Sequence, residues 1–152
     1  MTLPLAIASN GPAFLGAPRA DVERLDARFA VLGIPHGVPY PTRSASASGG
    51  AADAPQAIRQ RAARFGAMLD HHDFDLGGAL GDAAALGLAG CGEGAGDPRG
   101  AAAGAVRAAA AVRRHLEAGA MPIVLGGDDS TTALALAAFD GHGPLHVLQI
   151  DA

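Results

Sequence analysis

Short apolar runs separated by longer mixed segments predict a series of buried strands in this chain. Residues 29–34 and 122–125 are apolar stretches that end at a proline or a glycine, a pattern typical of strands covered on both faces. Residues 71–76 alternate polar and apolar positions, and residues 145–150 form another apolar run, so each predicts a further strand. We therefore expect a sheet of about four strands.

Helical patterns fill the segments between these predicted strands. Pro55 suits the first turn of a helix that follows the possible cap Asp53 and continues with apolar residues at helical spacing. Residues 101–118 are rich in alanine, which has the highest helix propensity, and residues 133–139 form a third apolar segment. The order β-α-β-α-β-α-β predicts an α/β fold in which a parallel sheet has helices on both faces.

The remaining segments lack a hydrophobic period and are predicted to be irregular. Residues 1–28 contain three prolines and predict an N-terminal arm on the surface or on a neighbouring subunit, so the α/β domain comprises residues 29–152. Residues 36–54 predict a long loop of the kind that shapes ligand sites, and residues 77–100 predict a second, glycine-rich loop.

Composition limits the classes of function. The chain has 152 residues, 49% of them hydrophobic, which is enough for one domain with a core. A net charge of -4 without any basic block argues against nucleic-acid binding, and the charged residues of the alanine-rich helix argue against a membrane span. The single cysteine, Cys91, cannot form an internal disulfide, and the start of the chain lacks a basic signal-peptide region. A cytoplasmic location is expected.

Carboxylates follow two of the predicted strands. Asp128 and Asp129 come after residues 122–125 and two glycines, and Asp151 comes after residues 145–150. Ligands of open parallel sheets bind beyond the carboxyl ends of the strands, where these side chains are expected to meet. Three carboxylates at one rim repel one another unless a cation is bound or one of them is protonated, so a hard divalent ion such as Mn²⁺ or Mg²⁺ is a suitable occupant.

Two other interpretations of the same residues remain open. Asp128 or Asp129 can cap the helix that follows while Asp151 is solvated, and spacing alone favours this interpretation over metal binding. Alternatively, the glycine-rich turn is a phosphate cradle in a nucleotide-binding domain. This possibility is the least favoured, because the two carboxylates would repel phosphate at the helix N-terminus.

Several segments resemble the ureohydrolase family, which includes arginase and agmatinase. Residues 122–130 resemble its first metal-ligand motif, usually Gly-Gly-Asp-His-Ser, and residues 150–152 match the opening of its Asp-Ala-His-x-Asp motif. Residues 31–36, 55–59 and 73–77 resemble its first strand, its Gly-Pro-x-x-Ile-Arg helix start and its Asp-x-Gly-Asp strand. The resemblance implies the N-terminal half of an arginase-like three-layer α/β/α domain, with about four strands.

The resemblance also implies a chemistry and roles for individual residues. In that family, two Mn²⁺ ions share a hydroxide that attacks the guanidinium carbon and releases urea and an amine. By this resemblance Asp129, where the motif usually has His, and Asp151 are metal ligands, while Asp128 and Ser130 orient the ligand loop. His36 follows the first strand and is a candidate substrate contact, although a loop histidine is more often solvated.

The expected substrate is a small guanidino or amidino compound, with agmatine preferred to arginine, and the expected assembly is a homo-oligomer. The 152 residues alone are expected to be inactive, because the later ligand motifs of the family have no counterpart before Ala152. The alternative is a non-catalytic fragment or subunit that keeps the fold without the chemistry. Arg43 and Arg59 are candidate partners of a substrate carboxylate, but ion pairs with surface Asp or Glu are favoured.

Overall fold

A computed structural model of the chain describes residues 4–7, 11–37, 50–94 and 101–150. At its centre is a four-stranded sheet with the order β1-β3-β2-β4, formed by β1 (Ala6–Ile7), β2 (Phe29–Ile34), β3 (Leu88–Gly94) and β4 (Met121–Gly126). The central strand β2 pairs in parallel with β3 and β4, while the short β1 pairs antiparallel with β3 at the sheet edge. The predicted parallel arrangement is confirmed, with one antiparallel edge strand added.

Three α-helices accompany the sheet: α1 (Ala54–Gly66), α2 (Ala101–Glu117) and α3 (Ser130–Leu136). Short 3₁₀ turns precede α1 and follow α3. Pro55 lies in the first turn of α1 as predicted, but Asp53 makes no capping hydrogen bond with its side chain. Within the described ranges, no helix is both long and apolar enough to cross a membrane.

The helices cover both faces of the sheet, as the sequence predicts. On one face, the core contains alternate residues of β2 and the small buried residues of α2. These core residues include Ala30, Leu32, Ile34, Ala108, Ala111 and Val112. On the other face, α1 places the side chain of Arg59 against Gly33 of β2. The carboxyl ends of β2 and β4 lie side by side, because Ile34 pairs with Gly126.

The strand predicted at residues 71–76 is wrong, because these residues form a turn. The Asp73 carboxylate accepts hydrogen bonds from the backbone N–H groups of Asp75 and Leu76 at 2.9 and 3.0 Å. A local bond of this kind competes with extended structure. Phe74 and Leu76 are 91% and 65% exposed, so these apolar side chains gain no burial that would stabilise a strand.

The loop predicted at residues 77–100 instead contains β3. This strand has few large side chains, and its small residues let the N-terminal segment pack closely. A Cβ atom at Gly90 would lie 3.4 Å from the Cβ of Ala13, and Arg19 forms a parallel bridge with Gly90. Ala17 and Val22 are buried as well. Part of the predicted arm therefore packs against the domain.

The strand predicted at residues 145–150 is also wrong. These residues pair with none of the described strands, and Val147, Leu148 and Ile150 are 62%, 86% and 90% exposed. β4 is an edge strand of the sheet in the described part of the chain. An apolar run forms a strand only where it finds a hydrogen-bonding partner, which this segment lacks among the described residues.

Candidate functional site

The turn between β4 and α3 is packed against backbone from two other elements. A Cβ atom at Gly127 would overlap the carbonyl oxygen of His36 and lie 2.7 Å from that of Ala51. A Cβ atom at Gly126 would lie 2.9 Å from the Cβ of Thr131. Neither glycine has a positive φ angle, so close packing rather than left-handed backbone requires glycine here. We call residues 126–130 the β4 loop.

The side chain of Asp128 fixes the shape of the β4 loop. Its Oδ1 accepts a hydrogen bond from the backbone N–H of Ser130 at 3.1 Å and another from the Ser130 hydroxyl. The backbone N–H of Asp128 donates to the carbonyl oxygen of His36 at 3.2 Å. These hydrogen bonds join Asp128 to Ser130 within the β4 loop, and the orienting role expected for the two residues stays a prediction.

Asp129 occupies the N-cap position of α3, but its side chain makes no capping hydrogen bond. Its carboxylate is exposed at the carboxyl end of β4. The capping interpretation therefore fails for Asp129, while the local hydrogen bonds of Asp128 agree with it in part. Asp151, the second expected ligand, lies outside the described residues.

His36 lies just after β2 and is half-buried. Its backbone carbonyl, rather than its side chain, makes the contact with the β4 loop that the structure describes. A contact between the His36 side chain and a substrate stays a prediction.

A depression of about 340 Å³ adjoins the β4 loop between β4 and α3. Thr131 lines it and is only 4% exposed, and its hydroxyl has no hydrogen-bond partner in the described structure. The other lining residues are Val124, Gly126, Gly127, Asp128, Thr132, Ala135 and Leu136. Most of this surface is apolar, so Asp128 and the two threonines are its polar features.

Arg59 and Glu93 form an ion pair that joins α1 to β3. Arg59 is 3% exposed and donates to the Glu93 carboxylate and, at 2.8 Å, to the carbonyl oxygen of Gly92. The expected acidic partner of Arg59 is present, but the pair is inside the protein rather than at its surface. The sequence does not predict a role for Glu93, because this residue falls in the segment predicted to be a glycine-rich loop.

The sequence profile of the arginase family matches residues 27–152. This chain belongs to the arginase family. The solved structure of proclavaminate amidino hydrolase from Streptomyces clavuligerus is similar to it, with a TM-score of 0.67 and 25% sequence identity. The similarity covers 90% of this arginase-family chain and 42% of the amidino hydrolase chain, so the chain spans less than half the length of that hydrolase. No curated protein sequence shows a significant match.

Membership of the arginase family confirms the resemblance and the arginase-like α/β fold. The structure corrects one of the matched segments. Residues 73–77, matched above to the Asp-x-Gly-Asp strand of the family, form a turn, and the strand that follows α1 is β3. Gly92 and Glu93 lie near the end of β3.

The arginase family is generally metal-dependent, and the donors of the β4 loop fit part of a metal site. The exposed carboxylate of Asp129 is a hard oxygen donor that suits Mn²⁺ or Mg²⁺. In the part of the chain that the structure describes, however, no three His, Cys, Asp or Glu side chains cluster closely enough to hold a metal ion. The described residues therefore contribute one candidate ligand and not a complete site.

Cys91 has no place in this chemistry. It lies within β3, is buried and forms no disulfide. Burial, with a smaller contribution from the charge of Asp21, raises the pKa of its thiol from 9.0 to about 11. The thiol is therefore protonated at neutral pH and is a poor nucleophile.

Proposed function

We propose that this arginase-family chain serves a metal-dependent hydrolase that cleaves linear C–N bonds of guanidino or amidino compounds and releases urea and an amine. The observation that carries the proposal is the similarity to an amidino hydrolase over 90% of the chain. The exposed Asp129 at the carboxyl end of β4 supports it, because this is where ligands of parallel sheets bind.

In this proposal, Asp129 and Asp151 are the metal ligands that the chain supplies, and Mn²⁺ is the expected ion. Bound divalent ions lower the pKa of a coordinated water and so supply a hydroxide nucleophile at neutral pH. Asp128 contributes indirectly, because its hydrogen bonds to Ser130 stabilise the loop that carries Asp129.

We propose agmatine-like substrates, which lack a carboxylate, in preference to arginine. Arg59 is one of the two arginines considered as partners of a substrate carboxylate, and it is buried and bonded to Glu93 and Gly92. The net charge of -4 also suits a cationic guanidino amine better than an anion.

A cytoplasmic homo-oligomer stays part of the proposal. In the described residues the outer edge of β4 has no partner strand, and an uncovered edge exposes backbone groups that another segment or subunit can cover. The alternative, a non-catalytic subunit, is supported by the lack of a three-residue ligand cluster in those residues.

The proposal is tested by the Mn²⁺ affinity of the purified chain, measured by a titration that detects free Mn²⁺ by electron paramagnetic resonance. We expect Asp129→Ala to weaken binding by about tenfold or more, because it removes a direct ligand. Asp75→Ala is the matched control, since it removes an exposed carboxylate from the turn after α1. Equal Mn²⁺ affinity of Asp129→Ala and Asp75→Ala would refute the ligand role of Asp129.

A further inference from the structure

Arg59 lies where three elements meet. It belongs to α1, its guanidinium binds Glu93 and the Gly92 carbonyl of β3, and it packs over Gly33 of β2. A Cβ atom at Gly33 would overlap both the Glu93 carboxylate and the Arg59 guanidinium. The contact between these charged groups and β2 therefore leaves no space for even a methyl group, and it ties α1 to both strands.

The β4 loop is packed against the same two elements that Arg59 ties together. The Ala51 carbonyl, in the 3₁₀ turn that leads into α1, and the His36 carbonyl, just after β2, both lie against Gly127. The His36 carbonyl also accepts the hydrogen bond from the Asp128 N–H. Any movement of α1 relative to β2 changes the separation of these two carbonyls and so disturbs the loop.

We propose that Arg59 and Glu93 are positioning residues that hold α1 and β2 at the separation the β4 loop needs. In this role the ion pair acts through the backbone of Ala51 and His36. The effect of the ion pair on catalysis rests on the proposed function, in which Asp129 is a metal ligand. The effect of the ion pair on the geometry of the β4 loop does not depend on that function.

The competing explanation is that the pair only stabilises the fold. The hydrogen bonding of Glu93 argues against this: its Oε2 is buried and has no hydrogen-bond partner in the described structure. A buried carboxylate oxygen without a partner reduces the stability that an ion pair provides. The strict geometry of an arginine–carboxylate pair is, in contrast, well suited to fixing the distance between two elements.

The two explanations predict different effects of a substitution: a positioning role predicts local opening of the β4 loop, whereas a purely stabilising role predicts only a lower global stability. We would measure amide hydrogen exchange at Asp128 by NMR in Arg59→Met, Arg59→Lys and a control, Val112→Ala. Val112 is fully buried in the core on the face of the sheet opposite to Arg59, so its truncation lowers global stability away from the ion pair. The comparison is made in low denaturant concentrations adjusted until all variants have equal global stability.

We expect exchange at Asp128 to be about tenfold or more faster in Arg59→Met than in Val112→Ala at equal stability, because the loop opens locally. Arg59→Lys should recover part of the protection, since the ammonium group still donates to Glu93. Equal exchange in Arg59→Met and Val112→Ala would overturn the proposal.

Two milder variants decide the question if Arg59→Met does not fold. Glu93→Gln keeps the shape of the side chain and removes its charge, and Gly33→Ala displaces the paired groups from β2 without removing either charge. Both should accelerate exchange at Asp128 beyond the stability-matched control, and normal protection in both would overturn the proposal.

A Mn²⁺ titration of Glu93→Gln separates this proposal from the proposed function. If the unmodified chain binds no Mn²⁺, the proposed ligand role of Asp129 in this chain fails, whereas the exchange at Asp128 still decides whether Arg59 and Glu93 position the loop. If the unmodified chain binds Mn²⁺, Glu93→Gln should weaken the affinity by about tenfold. An unchanged affinity together with normal exchange would contradict the positioning role.

Discussion

At the scale of single residues, Gly127 shows how tightly the β4 loop is held. Gly127→Ala would place a methyl group against the backbone carbonyls of His36 and Ala51, which cannot rotate away as a flexible side chain would. We expect this substitution to lower the free energy of unfolding by about 3 kcal/mol, measured by urea denaturation.

Gly50→Ala is the matched control for this substitution. Gly50 has a φ angle of -88°, and a Cβ atom there would have no heavy atom of the described structure within 4 Å. Its effect should remain within about 0.5 kcal/mol. If Gly127→Ala were as mild as Gly50→Ala, the packing argument for the loop would be wrong.

His115 makes stability depend on pH. Its side chain is fully buried in α2, neither ring nitrogen has a hydrogen-bond partner in the described structure, and burial lowers its pKa from 6.5 to about 4. Above pH 6.5 the imidazole is neutral in both states and the folded state carries no penalty. As the pH falls from 6.5 towards 4, the unfolded chain binds a proton that the folded chain does not, so stability decreases.

We expect His115 to account for a loss on the order of 3 kcal/mol between neutral pH and pH 4. Urea denaturation of His115→Leu at several pH values should show a flatter profile, because Leu has a similar volume and does not titrate. His146→Gln, at an exposed position, should keep the original profile. A pH profile of His115→Leu that matches the unmodified chain would contradict the assignment.

At the scale of elements, strong local signals were sufficient for some parts of the fold. Hydrophobicity alone predicts β2 and β4, because each is a short apolar run. Helix propensity alone predicts α2, because its segment is rich in alanine. The sequence does not predict β3 because its residues are small, and these residues form a strand because they pair with β2 and pack closely against the segment that contains Ala13 and Arg19. That packing is a tertiary property.

The two wrongly predicted strands show the opposite error. Residues 71–76 do alternate polar and apolar side chains. However, the Asp73 carboxylate accepts hydrogen bonds from nearby backbone N–H groups and stabilises a local turn that needs no neighbouring strand. Residues 145–150 are apolar, but hydrophobicity does not supply a neighbouring strand. In both cases the pattern was real, and the missing condition was burial against another element.

The candidate site divides in the same way. The β4 loop could be predicted, because its glycines, carboxylates and serine are consecutive and resemble a family motif. The Arg59–Glu93 pair could not be predicted, because 34 positions separate its members and only the fold brings them together. His36 was singled out for its side chain, whereas the contact the structure describes is made by its carbonyl group.

At the scale of the whole molecule, the described residues provide only part of what the proposed chemistry needs. The similarity to the amidino hydrolase covers 42% of that chain, and the described residues contain no cluster of three candidate metal ligands. The hydrolytic chemistry proposed here needs metal ions that are held firmly enough to present a nucleophile in line with the substrate carbon. One exposed carboxylate on the β4 loop does not provide that rigidity.

We therefore expect the isolated chain, supplied with Mn²⁺, to release no measurable urea from agmatine or arginine. The measurement is a colorimetric urea assay at several chain concentrations, with an intact amidino hydrolase as the positive control. Contaminating activity would be equal in the unmodified chain and in Asp129→Ala, because only a genuine site in this chain depends on Asp129. Urea release that rises with chain concentration and disappears in Asp129→Ala would show that residues outside the described ranges, Asp151 among them, complete a working site within this chain.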